Sequence, residues 1–571
     1  MRTALCLVAL AALSLDARAQ CGTTSKPDLV STSPVANEFF GETVRSDGAR
    51  AIVGAYGRDT LGTDSGTAYV YRLDPGGWVF EAQLFAPDAN ATDHFGRSAA
   101  VSGEWAFVGS YQDDDGGSNS GSAHFFRRSG TSWSHFQKVV AFDPAATDRF
   151  GRVIGLRGDV AVAGAPFDDD LGVDVGSAYV FRWSGTAWLF EQKLVPSDGV
   201  ANDRFGKQFA LGENLIVTGA SIHGLVGAPE AGQGYVYRFD GSVWNEEARL
   251  APPMPQTNER MGVSTGVTGT LGAEVAVIGA SDWDDGALQD CGTAYVFRRV
   301  GGAWTFEAQL LASDRQAQDN FGWTVAIEGD TILVGAQAED APSANNAGAA
   351  YVFRRQGGAW IEVEKLVAPV REAGEQVGIS IELAGGQALL GANVADVGAT
   401  VDAGRVVVFE VQPRCIEPFC IGDGSGTACP CGNASAIGAG AGCLNSLGIG
   451  GKLVALGVAS VSADSIVLTG SSMPDSSALY FQGESAVAGG LGTVFGDGLR
   501  CAGSPVVRLG TKVNVTGTSS YPVAGDLSIS VKGAVPPGAM RYYQVRYRDN
   551  PAFCTVEMFN QTNGVQVTWI P

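Results

Sequence analysis

The sequence predicts an all-β protein, a seven-bladed β-propeller followed by a small disulfide-bonded β-sandwich-like domain. Three observations carry that prediction. A unit of about 55 residues recurs seven times between residues 25 and 410. Inside each unit, short apolar–polar alternations are interrupted by glycine pairs at fixed intervals. Seven of the ten cysteines then crowd into the chain after residue 414, where the repeat has stopped.

Taken in order, residues 1–19 read as a secretory signal peptide. Arg2 precedes the apolar run Ala4 to Leu13, and Ala17-Arg18-Ala19 supplies the small-x-small cleavage pattern. The run is too short to span a bilayer, and no other stretch is long and apolar enough to form a transmembrane helix. Gln20, directly before Cys21, is not the small residue of a lipid-attachment site, so export as a secreted or surface-held protein is expected.

The unit opens on Phe40-Gly41, Phe95-Gly96, Phe150-Gly151, Phe205-Gly206 and Phe321-Gly322, with Met261-Gly262 and Val377-Gly378 standing in twice. A Gly-Ala or Gly-Ser pair follows at Gly54, Gly109, Gly164, Gly219, Gly279, Gly335 and Gly391. Between them, alternating residues flank a two-residue turn such as Asp47-Gly48 or Arg157-Gly158, which predicts a tight hairpin. A third strand reads GTAYVYR or GSAYVFR, and a tryptophan opens a fourth at Trp78, Trp133, Trp188, Trp244, Trp304 and Trp360. The seventh unit lacks this fourth strand. Asp28-Leu29-Val30 stands in the right interval before Phe40 to supply it, so residues 25–30 are expected to pair with 404–409 and close the ring.

The Phe-Gly and Gly-Ala pairs, completed to Gly-Ala-Pro at Gly164-Ala165-Pro166, resemble the FG-GAP repeat. That repeat forms the blades of the propeller at the head of integrin α subunits and of many secreted bacterial proteins. The resemblance covers residues 20–414 and implies a fold; propellers host many unrelated activities. WD40 and kelch repeats differ in period and in the placement of their glycines.

Net charge is −22, and the propeller carries all of it: residues 20–414 hold 28 Lys+Arg against 50 Asp+Glu. Such a field disfavours nucleic acid as a partner. The long loops that follow Gly-Ala are acidic and share one face with the connections between blades, whereas the hairpin turns open on the other. Binding is expected on the loop-bearing face. Tyr56, Tyr111, Phe167 and Trp283 lie in these loops and are read as exposed candidate ligand contacts for an extracellular glycan or protein, the alternative being that the rings fold back to cover their own loops. The resemblance implies a calcium loop between the first two strands, but only a two-residue turn stands there. Calcium as a cofactor would instead use Asp168, Asp170 and Asp174, or Asp113 and Asp115.

One carboxylate precedes each Phe-Gly position by two residues: Glu38, Asp93, Asp148, Asp203, Glu259, Asp319 and Glu375. A feature that obeys the repeat is more economically a folding device than a site, and these are expected to accept backbone N–H bonds within their own connections.

Residues 415–571 form the second domain. Cys420, Cys429, Cys431, Cys443, Cys501 and Cys554 are expected to pair among themselves and Cys21 with Cys415, leaving Cys291 as a buried free thiol. A structural zinc site is the rival reading. Residues 465–469, 527–531 and 565–569 read as strands, and the opening CIGDGSGTACPCGN resembles a C-terminal module of secreted bacterial proteins.

No Gly-x-Ser-x-Gly, His-Glu-x-x-His or phosphate-loop motif appears, and the chain has only four histidines. The expected function is that of an exported, non-enzymatic binding or adhesion protein. A secreted glycan-active or other hydrolytic enzyme and a structural cell-surface protein are the alternatives.

Overall fold

The computed structural model describes residues 24–356, 358–411, 416–436, 439–456, 459–462, 464–549 and 553–569. Two compact units divide the chain, Thr23–Val411 and Gln412–Pro571. The proposed signal peptide and the Cys21–Cys415 pairing lie outside the described residues.

The first unit consists of seven four-stranded antiparallel sheets among its described residues. The first is typical: Val44–Ser46, Arg50–Ala55, Thr67–Asp74 and Gly77–Leu84, in that order. In the last sheet the fourth place is taken from the start of the unit. Thr24–Leu29 runs antiparallel to Arg405–Glu410, with Ser25 opposite Phe409 and Leu29 opposite Val406. Leu29 is thereby buried against a core containing Phe40, Val53, Tyr69 and Val406.

The two glycines of the repeat have one cause. The glycine of each Gly-Ala pair lies against the carbonyl oxygen of the next sheet's Phe-Gly glycine. A Cβ on Gly54 would stand 1.8 Å from the Gly96 oxygen, one on Gly109 1.9 Å from Gly151, and one on Gly279 1.9 Å from Gly322. Only a residue without a side chain permits that approach. Hydroxyls reinforce it: Ser98, Ser264 and Thr324 donate to the oxygens of Gly151, Gly322 and Gly378 at 2.8, 2.9 and 2.7 Å. Ser380 donates to Gly41 across 339 residues of chain at 2.8 Å, so the last sheet meets the first. This is the arrangement of a propeller, with the first strands lining a central channel.

Aromatic packing fills the space between sheets. Phe150 meets Tyr179 and Phe181 edge-on at 5.3 and 6.1 Å, and Phe321 meets Tyr351 and Phe353 in the same way. The strand-four tryptophans bridge to the neighbouring sheet. Trp133, Trp244 and Trp304 donate Nε1–H to Glu81, Glu191 and Glu247 at 2.8 to 3.0 Å.

In the second unit a six-stranded and a three-stranded sheet share one core. Leu453 and Leu468 come from the smaller sheet; Tyr480, Tyr543, Val565 and Val567 come from the larger. Three disulfides join Cys420 to Cys501, Cys429 to Cys443 and Cys431 to Cys554, so all six cysteines pair among themselves as expected. Cys291 is a buried free thiol. Residues 527–531 depart from the expected strand: Leu527 and Ser528 precede a short helix, Ile529–Lys532, that takes up the rest. Only Ile529 of its three alternating apolar residues is buried, while Leu527 and Val531 are exposed, so the run has no second sheet to face. The Asp464 carboxylate takes the Ser530 N–H at 2.7 Å and anchors the turn.

Candidate ligand-binding face

The loops after Gly-Ala and the connections before Phe-Gly are hydrogen-bonded to each other on one face: Thr92 and His94 N–H, for example, bond to the Thr63 and Asp64 carbonyls at 2.8 and 3.1 Å. The seven repeated carboxylates stabilise these connections. Each accepts the N–H of the residue three before it, as at Asn90→Asp93, Ala145→Asp148 and Val200→Asp203, at 2.7, 2.9 and 2.7 Å. All seven are buried. Burial pushes the carboxyls of Asp93, Asp148 and Asp319 up to about 6.

The acidic loops are not open carboxylate clusters. In the second sheet the Lys138 ammonium lies 2.8, 2.7 and 2.6 Å from Asp88, Asp113 and Asp115. In the third, Lys193 stands 2.9, 2.7 and 2.5 Å from Asp143, Asp168 and Asp170. Burial alone would lower the Lys193 pKa, but its hydrogen bonds to these carboxylates raise it. Asp168 is further tied to Ser177 and Tyr179 hydroxyls at 2.7 and 2.8 Å. Asp174 does not join this group; it sits in left-handed backbone and donates its N–H to Asp169. Among the described residues no three His, Cys, Asp or Glu side chains gather as metal ligands. Each of the two proposed calcium clusters thus holds an ammonium among the oxygens a cation would need.

The reading of the four aromatics as exposed contacts also changes. Tyr111 is 8% exposed and Trp283 9%, while Tyr56 and Phe167 are half-buried. Trp283 stands in the place that Asp113, Asp168 and His223 hold in other loops, with its carbonyl receiving the Gly292 N–H at 2.9 Å, and that inward place explains its burial. The other three form a ladder with cations. Phe39 stacks on Tyr56 at 5.2 Å, Tyr56 meets His94 at 5.3 Å, and His94 stacks on Tyr111 at 5.5 Å. Arg97 lies over Tyr56 and Tyr111 at 5.2 and 5.8 Å, and Arg152 over Tyr111 and Phe167 at 5.2 and 5.8 Å. Arg149 and Arg204 cover Phe167 at 4.6 and 5.1 Å. These rings hold guanidiniums in place rather than offering bare faces to a ligand.

The ladder borders a cavity of about 400 Å³ in the channel. Its wall includes the residue that follows Phe-Gly in each sheet: Glu42, Arg97, Arg152, Lys207, Val263, Trp323 and Ile379, the last as part of Ile379–Ile381. None of these seven is among the sequence-predicted contacts, of which only Tyr56 lines the cavity. The signal was present as the column after the invariant glycine, which is charged in the first four units and apolar in the last three. Arg45, which also lines the cavity, and Glu382 approach to 3.8 Å, and burial raises Glu382 to about 7.

Repeated four-stranded sheets with their loops gathered on one face define a propeller-type scaffold. The chain carries FG-GAP repeats: residues 28–71, 78–126, 133–181, 188–237 and 304–353 match the FG-GAP repeat family. Each match after the first starts at the tryptophan strand of one sheet and ends in the third strand of the next. The two sheets opened by Met261 and Val377 lie largely outside the matches, yet they form the same four strands and the same glycine contacts. None of the curated proteins matches the chain.

Proposed function

We propose that the protein is an exported, non-enzymatic binding or adhesion protein, a seven-bladed propeller whose ligand docks at the channel mouth on the loop-bearing face. The observation that carries this reading is the ladder of Arg97, Tyr111, Arg149, Arg152, Phe167 and Arg204. It breaks the repeat on three consecutive sheets and borders a cavity of ligand size. Structural devices in this unit recur from sheet to sheet, as the seven buried carboxylates do; a binding site has reason to depart from them. Three disulfides in the second unit support an oxidising compartment. No helix among the described residues is long and apolar enough to cross a membrane. The second unit, which the sequence reads as a sandwich, would hold the propeller at or near the cell surface.

The test is an array of glycans and extracellular-matrix proteins probed with the mature chain and with Arg152→Ala. Binding lost in the variant at unchanged melting temperature supports the reading. Binding that survives places the ligand elsewhere, and turnover of an arrayed glycan or ester by the wild type removes the non-enzymatic class.

A further inference from the structure

The cavity at the channel mouth has two unlike walls. Arg97, Arg152 and Lys207 line it from the second, third and fourth sheets, while Val263, Trp323 and Ile379 hold the same place in the fifth, sixth and seventh. Glu42 neutralises Arg97 at 2.8 Å. Arg152 and Lys207 form no ion pair with any described residue; Lys207 has only the Ser221 hydroxyl, at 3.4 Å. Next to them Arg149 and Arg204 keep buried Nε–H donors without an acceptor among the described residues.

That concentration of cations is unusual in a chain with net charge −22. Of the carboxylates in the surrounding loops, Asp113 and Asp168 are engaged by Lys138 and Lys193, and Asp282, which acts on Lys207 without forming an ion pair with it, is paired with Arg260 at 3.2 Å. Like charges gathered in a half-buried cavity without partners oppose folding, and such arrangements are found where a ligand supplies the missing charge.

We propose that this cavity binds an acidic sugar, its carboxylate or sulfate held between Arg152 and Lys207 and the apolar face of its ring against Trp323. The inference rests on the reading of the channel mouth as the ligand site and adds the class of ligand. A guanidinium offers paired N–H donors to the two oxygens of a carboxylate or sulfate, and an ammonium adds a point charge beside them. An indole is the side chain best suited to the C–H face of a pyranose, being large, flat and rigid. A cavity of about 400 Å³ admits one or two sugar rings. The electrostatics agree with the geometry. Burial, then Arg152, Arg204 and Arg260, holds the Lys207 ammonium down to about 8 against the opposing pull of Asp282, and burial with Arg97 holds Arg152 down to about 10 against that of Glu42. An anion placed between them relieves both.

The experiment titrates the mature chain calorimetrically with a galacturonate tetramer, a heparin-derived tetrasaccharide, cellotetraose, inorganic sulfate and a tetraglutamate peptide. At least one acidic tetrasaccharide should bind, and cellotetraose should be at least 100-fold weaker. Arg152→Gln and Lys207→Met should each weaken the acidic sugar at least 10-fold, and raising salt tenfold should weaken it further. Trp323→Ala should weaken the sugar at least 10-fold while leaving any sulfate affinity within twofold, which a collapsed variant would not do. The class of ligand is overturned if cellotetraose binds as well as the acidic sugars, if no acidic sugar binds, or if tetraglutamate binds more tightly and is indifferent to Trp323→Ala. In those cases an array ligand still lost with Arg152→Ala keeps the channel mouth as the site. An array ligand that ignores Arg152→Ala removes the site itself.

Discussion

Gly391 of the last sheet touches the carbonyl oxygen of Gly41 in the first, so closely that a Cβ on Gly391 would stand 2.1 Å from it. The same contact joins every other pair of neighbouring sheets, and here it makes the series a ring. Gly391→Ala is therefore expected to force the closing sheets apart at a cost of about 3 kcal/mol, the upper range for overpacking. Gly76→Ala, at a turn where an added Cβ meets nothing within 4 Å, should change stability by less than about 0.5 kcal/mol. Urea unfolding of the two variants checks the pair. Equal stabilities would mean that the ring contact is not under constraint.

Lys193 occupies the place where calcium would have to bind in the third sheet. Removing it in Lys193→Ala leaves Asp143, Asp168 and Asp170 without their shared ammonium. Asp170 is largely exposed, so the cost is expected to be about 2 kcal/mol rather than that of a fully buried pair. Millimolar calcium should then raise the melting temperature of the variant and leave the wild type unchanged, because only the variant has free oxygens to offer. A shift in the wild type would show that the lysine yields to the metal.

Asp148 sets a pH dependence of definite sign. Its folded pKa is about 6 against an ordinary 3.8, chiefly from burial, with Asp168 and Asp169 adding to the shift and the Ala145 N–H and Lys193 opposing it. Between pH 4 and 6 the folded carboxyl still binds a proton that the unfolded one has lost. Stability from this group is thus greatest below pH 4, falls as pH rises to 6, and is level above. Asp148→Asn keeps an acceptor for the Ala145 N–H but has no charge to bury. Its stability relative to wild type should therefore increase from pH 4 to 6 and then stay constant, as measured by urea unfolding across that range. A gap that is flat with pH would contradict the assignment.

What obeys the repeat was legible in the sequence. The interval from Leu29 to Phe40 identified the closing strand because strand spacing is fixed by the blade, and the pairing of Leu29 with Val406 follows from it. The carboxylates at Glu38 and its equivalents were legible as folding devices for the same reason. The direction of a loop side chain was not. Tyr111 and Trp283 sit two and four residues beyond their Gly-Ala glycine, and only the path of each loop decides that both turn inward. Lysines on the fourth strand were equally hidden as partners of Asp113 and Asp168, since the chain between them is 23 to 25 residues long in sequence. The basic channel was masked by the net charge: an average of −22 says nothing about where Arg152 and Lys207 converge.

Ligand binding at the channel mouth is checked by amide hydrogen exchange with and without the tightest array ligand. Protection is predicted in residues 95–99, 149–154 and 204–208, the segments that carry Arg97, Arg149, Arg152, Arg204 and Lys207. Protection confined to the loop at residues 281–290 or to residues 416–569, with these three segments unchanged, would contradict it.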